Sequence, residues 1–124
     1  MDKAVAEELL AGIGARDYDR IERCLAPDAK LRALTPHQLR EEHGPAAIAA
    51  QYRYWLEPLA DFGLVEGGVV PIADRFRVRY WFRGRDPERG WQENEHTAYA
   101  EVDKSLIVRL NLSCAGFRPA GRPR

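Results

Sequence analysis

Three histidines and two cysteines are the side chains of this sequence that titrate closest to neutral pH. His96 stands in a stretch, Trp91 to Val102, that alternates as a strand does. It shares its parity with Asn94, Ala98, Ala100 and Val102, while Glu93, Glu95, Tyr99 and Glu101 take the other side. An imidazole on the apolar side of a strand is a candidate general acid or base. An antiparallel register with the preceding strand brings it near Val78 and beside Tyr80. Tyr80 is therefore the expected catalytic partner, with Tyr80 or Asn94 orienting the ring. The same position also suits a core histidine whose nitrogens are satisfied by Asn94, Tyr80 or a backbone carbonyl. His37 and His43 lie with Glu41 and Glu42 in a polar stretch. His37 and Glu41 share a face only if that stretch is helical, and no His or Cys pair at ligand spacing supports them, so no metal is assigned. No cofactor is called for. Cys24 and Cys114 lack a neighbouring motif that would activate a thiol, and both are expected to be structural and reduced.

The elements that must position these groups follow from periodicity. Val5, Leu9 and Ile13 recur at i, i+4, i+8 and predict a helix over residues 3–15. Asp17 caps a second short helix whose apolar face is Tyr18, Ile21, Cys24 and Leu25, with Pro27 as its stop. Ala29 to Leu34 reads as a strand. Thr35, Pro36 and Gln38 make a capping box over one turn within a longer loop to Gly44. Gly44-Pro45 opens a third helix with Ile48, Tyr52, Trp55 and Leu59 on one face, and Pro58 disrupts its end. Period two then takes over. Leu64 to Ile72 is strand-like, with a bulge expected at Gly67-Gly68. In the next strand Phe76, Val78, Tyr80 and Phe82 point inward; Arg75, Arg77, Arg79, Trp81 and Arg83 point outward. Arg85 to Gly90 is a loop, and Asp103-Lys104 turns the chain into a last strand, Leu106 to Cys114, with Val108, Leu110, Leu112 and Cys114 on its apolar face. The segment Ala115 to Arg124, rich in Gly, Pro and Arg, reads as a frayed, solvated terminus. Segregated helices and an antiparallel sheet make the fold class α+β, as one domain over residues 1–119 and a flexible tail over 120–124.

Composition bounds the function classes. The chain has 124 residues, 45% apolar and 31% charged, ordinary for one globular domain. Lys plus Arg equals Asp plus Glu at 19 each, without the basic excess of a nucleic-acid binder. No apolar run approaches the ~18 residues of a membrane span, and no secretory leader is recognisable. A cytoplasmic location is the expectation, with neither nucleic acid nor membrane as partner.

The element order resembles the nuclear transport factor 2-like superfamily, which includes SnoaL-like polyketide cyclases and ketosteroid isomerases. Ala15-Arg16-Asp17-Tyr18-Asp19 with Cys24-Leu25-Ala26-Pro27-Asp28-Ala29 carries the likeness, as do His43-Gly44-Pro45-Ala46-Ala47-Ile48 and His96 through Asp103. The ending Cys114-Ala115-Gly116-Phe117-Arg118-Pro119 looks like the signature of one branch. The likeness covers about residues 4–119. It implies a strongly curved, mixed or antiparallel sheet wrapped as a cone around three N-terminal helices. It also implies an apolar pocket at the open end and dimerisation through the outer sheet face. The ketosteroid isomerase tyrosine, base and acid fall on Leu9, Ala33 and near Ala98. A methyl or isobutyl group neither takes a proton nor donates to an oxyanion, so that chemistry is not expected. The Asp-Arg-Asp set of limonene-epoxide-hydrolase-like members is not expected either, because Glu93, Glu95 and Glu101 have outward parity. Dehydratase-like and SnoaL-like relatives use pocket histidines, which keeps His96 as the candidate.

Two functions remain open. One is a binder of a small apolar molecule in the cone, lined by Tyr52, Trp55, Phe76, Val78, Phe82, Asn94 and Ala98, with isomerase-, cyclase- or dehydratase-type acid–base chemistry at His96 and Tyr80. The other is a non-catalytic dimeric module with a filled cone. Trp81, Trp91 and Tyr99 share the outer face with the arginine row, so a homodimer is expected there with Trp81 near its centre.

Overall fold

The computed structural model describes residues 3–121. Helix α1, Lys3–Ala15, buries Val5, Ala6, Leu9, Gly12 and Ile13. It ends in a Schellman motif: Arg16 is left-handed at φ 52, its amide donates to the Ile13 carbonyl, and the Asp17 amide donates to the Gly12 carbonyl. The Arg16 guanidinium then reaches across to the end of the third helix, donating to the carbonyls of Leu56 (3.2 Å) and Leu59 (2.7 Å). Asp17 caps α2, Tyr18–Arg23, by accepting from the Arg20 amide at 3.1 Å.

Strand β1 runs Leu25–Leu34 and contains Pro27. The helix stops earlier, at the Cys24 cap. Pro27 is tolerated in the strand because pairing with the neighbouring strand is interrupted between Leu25 and Lys30. The Thr35 hydroxyl donates to the Gln38 carbonyl (2.8 Å) and accepts from its amide (3.2 Å). That contact reverses the chain into β2, Leu39–His43, antiparallel to β1. The expected loop to Gly44 is therefore a hairpin strand. It carries no buried residue, so no apolar alternation announced it. Helix α3, Pro45–Leu56, follows Gly44 (φ 89) and buries Ile48, Tyr52 and Trp55.

Four long strands complete the sheet: β3 Ala60–Ile72, β4 Arg75–Asp86, β5 Gly90–Asp103 and β6 Leu106–Cys114. A two-residue strand, β7 (Arg118–Pro119), pairs with β5. The order is β2-β1-β6-β5-β4-β3, antiparallel except for β1 against β6. This mixed sheet against three helices is the α+β cone that the resemblance implies. Phe76, Val78, Tyr80 and Phe82 are buried, and Arg75, Arg77 and Arg79 are not.

Three local expectations are corrected. Gly67 and Gly68 pair regularly with Tyr80 and Arg79, and the irregularities of β3 lie at Ala60/Gly63 and Leu64/Glu66. In β6 a register shift opposite Glu101/Val102 turns Ile107 inward and leaves Val108 half-buried. Residues 115–120 are not frayed. The Ala115 and Ala120 amides donate to the carbonyls of Glu95 and Trp91, and Arg118 pairs with Glu93 at 2.8 Å. Arg83 donates to the Gly121 carbonyl. The remainder of the expected flexible tail, residues 122–124, lies outside the described residues.

Candidate functional site

His96 faces Tyr80 directly in the β4–β5 register and is fully buried. Tyr80 Oη and His96 Nδ1 are 2.8 Å apart. Three rings enclose the imidazole: Trp55 at 5.0 Å between centroids, Tyr80 at 5.2 Å and Phe82 at 5.3 Å, all edge-on. Tyr52 stands behind Trp55, with centroids 5.6 Å apart. Its hydroxyl faces that of Tyr80 without closing a full hydrogen bond. His96 Nε2 has no hydrogen-bond partner among the described residues.

Burial sets the protonation states. It drives the His96 pKa down to about 3, so the ring is neutral at pH 7. Burial also pushes Tyr52 up to about 12 and Tyr80 well above the usual phenol range, with the neighbouring Tyr52 adding to the rise at Tyr80. A neutral imidazole has one N–H and one lone pair. Whichever the Tyr80 hydroxyl engages, Nε2 offers the other, unused, inside an aromatic cage.

Asn94 does not orient His96. Its amide donates to Cys114 Sγ at 3.3 Å. Phe76, Val78 and Ala98 sit deeper in the core, with Val78 opposite Ala98. Leu9 and Ala33, where the resemblance sets the isomerase tyrosine and base, are buried too.

Of the expected pocket residues, Trp55 meets open space. Its indole lines a cavity of about 230 Å³ at the mouth of the cone, with Leu59 and Phe117 on its apolar side and Asp86, Arg89 and Gln92 on its polar side. Phe117 packs edge-on against Phe82 with centroids 5.8 Å apart. Leu59 lies so close over Gly84 that a Cβ there would sit 2.6 Å from Leu59 Cβ. Trp55, Phe82 and Phe117 thus fill the space between the mouth and His96, and His96 does not line this cavity. Sequence reasoning missed Phe117, because it assigned the segment to a solvated tail. The available signal was an aromatic residue isolated among Gly, Arg and Pro.

The other candidates do not converge. His37 is exposed in the Thr35–Gln38 turn, and the strand β2 puts Glu41 and His43 on one side with Glu42 on the other. Among the described residues no three of His, Cys, Asp and Glu come together as a metal site. Cys24 and Cys114 are free thiols; burial pushes the Cys24 thiol up to about 11, far from a reactive thiolate. On the outer face Arg79 bridges Glu66 (3.3 Å) and Glu95 (2.7 Å), and Trp81 is half-buried between the same two strands. No helix among the described residues is long and apolar enough to cross a membrane.

No functionally curated protein matches the chain. Solved structures do. A hypothetical protein with a ketosteroid isomerase-like fold from Catenulispora acidiphila, in complex with trimethylamine, superposes with a TM-score of 0.71 at 7% identity, over 90% of this chain and 85% of that one. A phenazine biosynthesis-related protein from Pseudomonas aeruginosa gives 0.68 at 17% identity over 90% and 80%. A nuclear transport factor 2-like protein from Burkholderia xenovorans gives 0.66 at 18% over 89% and 86%. At these identities the likeness is one of fold. The sequence itself carries the closer assignment: a model of the SnoaL-like domain matches residues 6–110, and the chain belongs to that family.

Proposed function

We propose that this protein binds a small, uncharged, largely apolar molecule at the mouth of the cone, with His96 as the polar anchor behind it. The observation that carries this is the unpartnered Nε2 of His96, held in a cage whose outer wall, Trp55, is also the wall of the mouth cavity. A buried polar atom without a partner costs about 1–3 kcal/mol, and a carbonyl or hydroxyl of a ligand removes that cost. Entry requires Trp55 and Phe117 to turn aside. A cavity of about 230 Å³ is below the roughly 300 Å³ at which drug-sized sites begin, so the molecule is small.

Within this reading Tyr80 and His96 position the ligand more readily than they move protons. A general acid or base works best with a pKa near the working pH, and burial holds both groups far from it. Isomerase, cyclase or dehydratase chemistry at this pair therefore belongs to an opened state in which ligand or water raises the His96 pKa. Native mass spectrometry of protein purified gently from cells tests the binding. A bound neutral compound lost in His96→Gln supports the reading. A wild-type protein that carries nothing and fails to shift its melting temperature with small apolar carbonyl compounds refutes it.

A second reading has its own observation. Leu34 and Leu39 are exposed beside Tyr99, where they line a hollow on the outer sheet face with Thr97 and Ser113. Together with the filled interior at His96, this favours a dimeric, non-catalytic module that works through its sheet surface.

A further inference from the structure

The outer face of the sheet holds a second concentration of chemistry, separated from His96 by the sheet itself. Strand pairing aligns it. Arg75 on β4 approaches Glu101 on β5 at 3.9 Å. Glu101 pairs with Arg109 on β6, Arg109 with Lys30 on β1, and Lys30 with His43 on β2. Arg32, two residues along β1, pairs with Asn111 and Glu41. These side chains line a groove of about 540 Å³, within the roughly 300–1,000 Å³ of small-molecule sites.

Its charge is unbalanced. Lys30, Arg32, Arg75 and Arg109 face Glu41 and Glu101; with Asp74 beside Arg75 four cations meet three carboxylates, and Arg32 is held by Glu41 at 3.7 Å. Glu101 is divided between Arg75 and Arg109, the latter at 4.0 Å, and Arg75 is drawn aside by Asp74 at 3.1 Å. Lys30 has no ion pair among the described residues, although Arg109 and His43 are its neighbours on both sides. Lys30 and Arg109 are like charges directly across adjacent strands, which destabilises a sheet, and an anion between them would relieve that repulsion. The Asn111 amide adds a neutral donor at the floor of the groove. Along the same face Arg79 and Arg118 are satisfied by Glu66, Glu95 and Glu93, so beyond the groove the excess extends along β4 only to Arg77, which has no ion pair among the described residues. A local, concave excess fits a compact anion rather than a nucleic-acid backbone, whose binding takes an extended basic surface.

We propose that this groove binds a small polyanion, a molecule bearing two or more carboxylate or phosphate groups, with Lys30 and Arg109 as its central contacts. Isothermal titration calorimetry of the whole chain at low ionic strength tests it, with inorganic pyrophosphate and citrate as probes and sodium chloride matched for ionic strength as the control. Saturable binding of one probe per chain is expected, and the tighter probe assigns the phosphate or the carboxylate source. Lys30→Ala and Arg109→Ala should each weaken it about tenfold, the equivalent of about 1.4 kcal/mol, while Arg79→Ala leaves it unchanged. Melting curves should show all three variants folded. Heats no larger than those of sodium chloride overturn the proposal. So does an Arg79→Ala loss equal to that of Lys30→Ala, which would mean diffuse attraction to the face and no site.

Discussion

Burying His96 as a neutral ring makes the stability of this protein depend on pH in a calculable way. Its folded pKa of about 3 lies below the ordinary 6.5. Between these values the unfolded chain binds a proton that the native protein refuses, so stability is full above the unfolded pKa and falls as pH drops toward the folded one. Each pH unit in that window is worth about 1.36 kcal/mol. At pH 4.5 the interval of about two units gives ~2.7 kcal/mol, of which about 0.2 is already felt at pH 7. The expected loss attributable to His96 is about 2.5 kcal/mol, a large part of the 5–15 kcal/mol that typically holds a domain together. His96→Gln removes the titration. Carboxylates held below their usual range, such as Glu93 beside Arg118, also weaken the fold as pH falls, but they are common to both proteins and cancel in the difference. Urea denaturation of wild type and variant at the two pH values is the assay. The variant should start less stable at pH 7, by about 1–3 kcal/mol for the disturbed Tyr80 contact, and the gap should close at pH 4.5. Parallel losses would refute the reasoning, because they require a histidine that is protonated in the native state or open to water.

Three further outcomes are expected. Gly84→Ala should cost about 1–3 kcal/mol by overpacking, since the new Cβ meets Leu59 Cβ, whereas Gly68→Ala, with nothing within 4 Å of its Cβ, should cost little; denaturation of both variants checks it. A homodimer through the outer sheet face should sediment as such at micromolar concentration and weaken in Trp81→Ala; a wild-type monomer removes the dimer, and an intact Trp81→Ala dimer moves it to another surface. The double variant Tyr80→Phe/His96→Leu should melt no lower than wild type, because removing both partners of a buried polar pair is nearly neutral, yet lose any bound molecule.

The fold was legible where burial imposed a period. The stripe Val5, Leu9, Ile13 and the alternation from Phe76 to Phe82 define elements whose apolar sides lie against the core. Elements with little to bury left no such trace. Strand β2 alternates only between exposed and half-buried residues, and β7 is two residues long; both are held by strand pairing, which composition does not record. Bulges were misplaced for a related reason. Glycine marks where a bulge is cheap, not where one is needed, and the shifts in β3 fall at Ala60/Gly63 and Leu64/Glu66. Parity sufficed to put His96 inside and beside Tyr80. It could not reveal that Trp55 and Phe82 close around the ring, nor that Asn94 turns to Cys114, because those contacts depend on rotamers and on which helix crosses the sheet.

The remaining question is why a histidine should occupy this position. On stability alone the Tyr80–His96 pair is a poor choice. A neutral hydrogen bond contributes about 0.5–1.5 kcal/mol net, while a buried unsatisfied nitrogen costs about 1–3. Two apolar side chains of similar volume would fill the cage at no such cost, as Val78 and Ala98 do one pair deeper on the same two strands. The aromatic contacts of His96 with Trp55 and Phe82 offer no reason for nitrogen either, since a phenyl ring makes the same edge-on arrangement. What the imidazole uniquely adds is a polar atom aimed into an otherwise dry interior and kept neutral by that dryness. A charged ligand would have to be desolvated without a counter-charge there, at several kcal/mol; a neutral carbonyl or hydroxyl would only exchange one hydrogen bond for another. In the proposed site the same burial that weakens His96 as a proton carrier would make it selective for uncharged ligands, and the imbalance between its cost and its structural benefit is the strongest argument for that proposal.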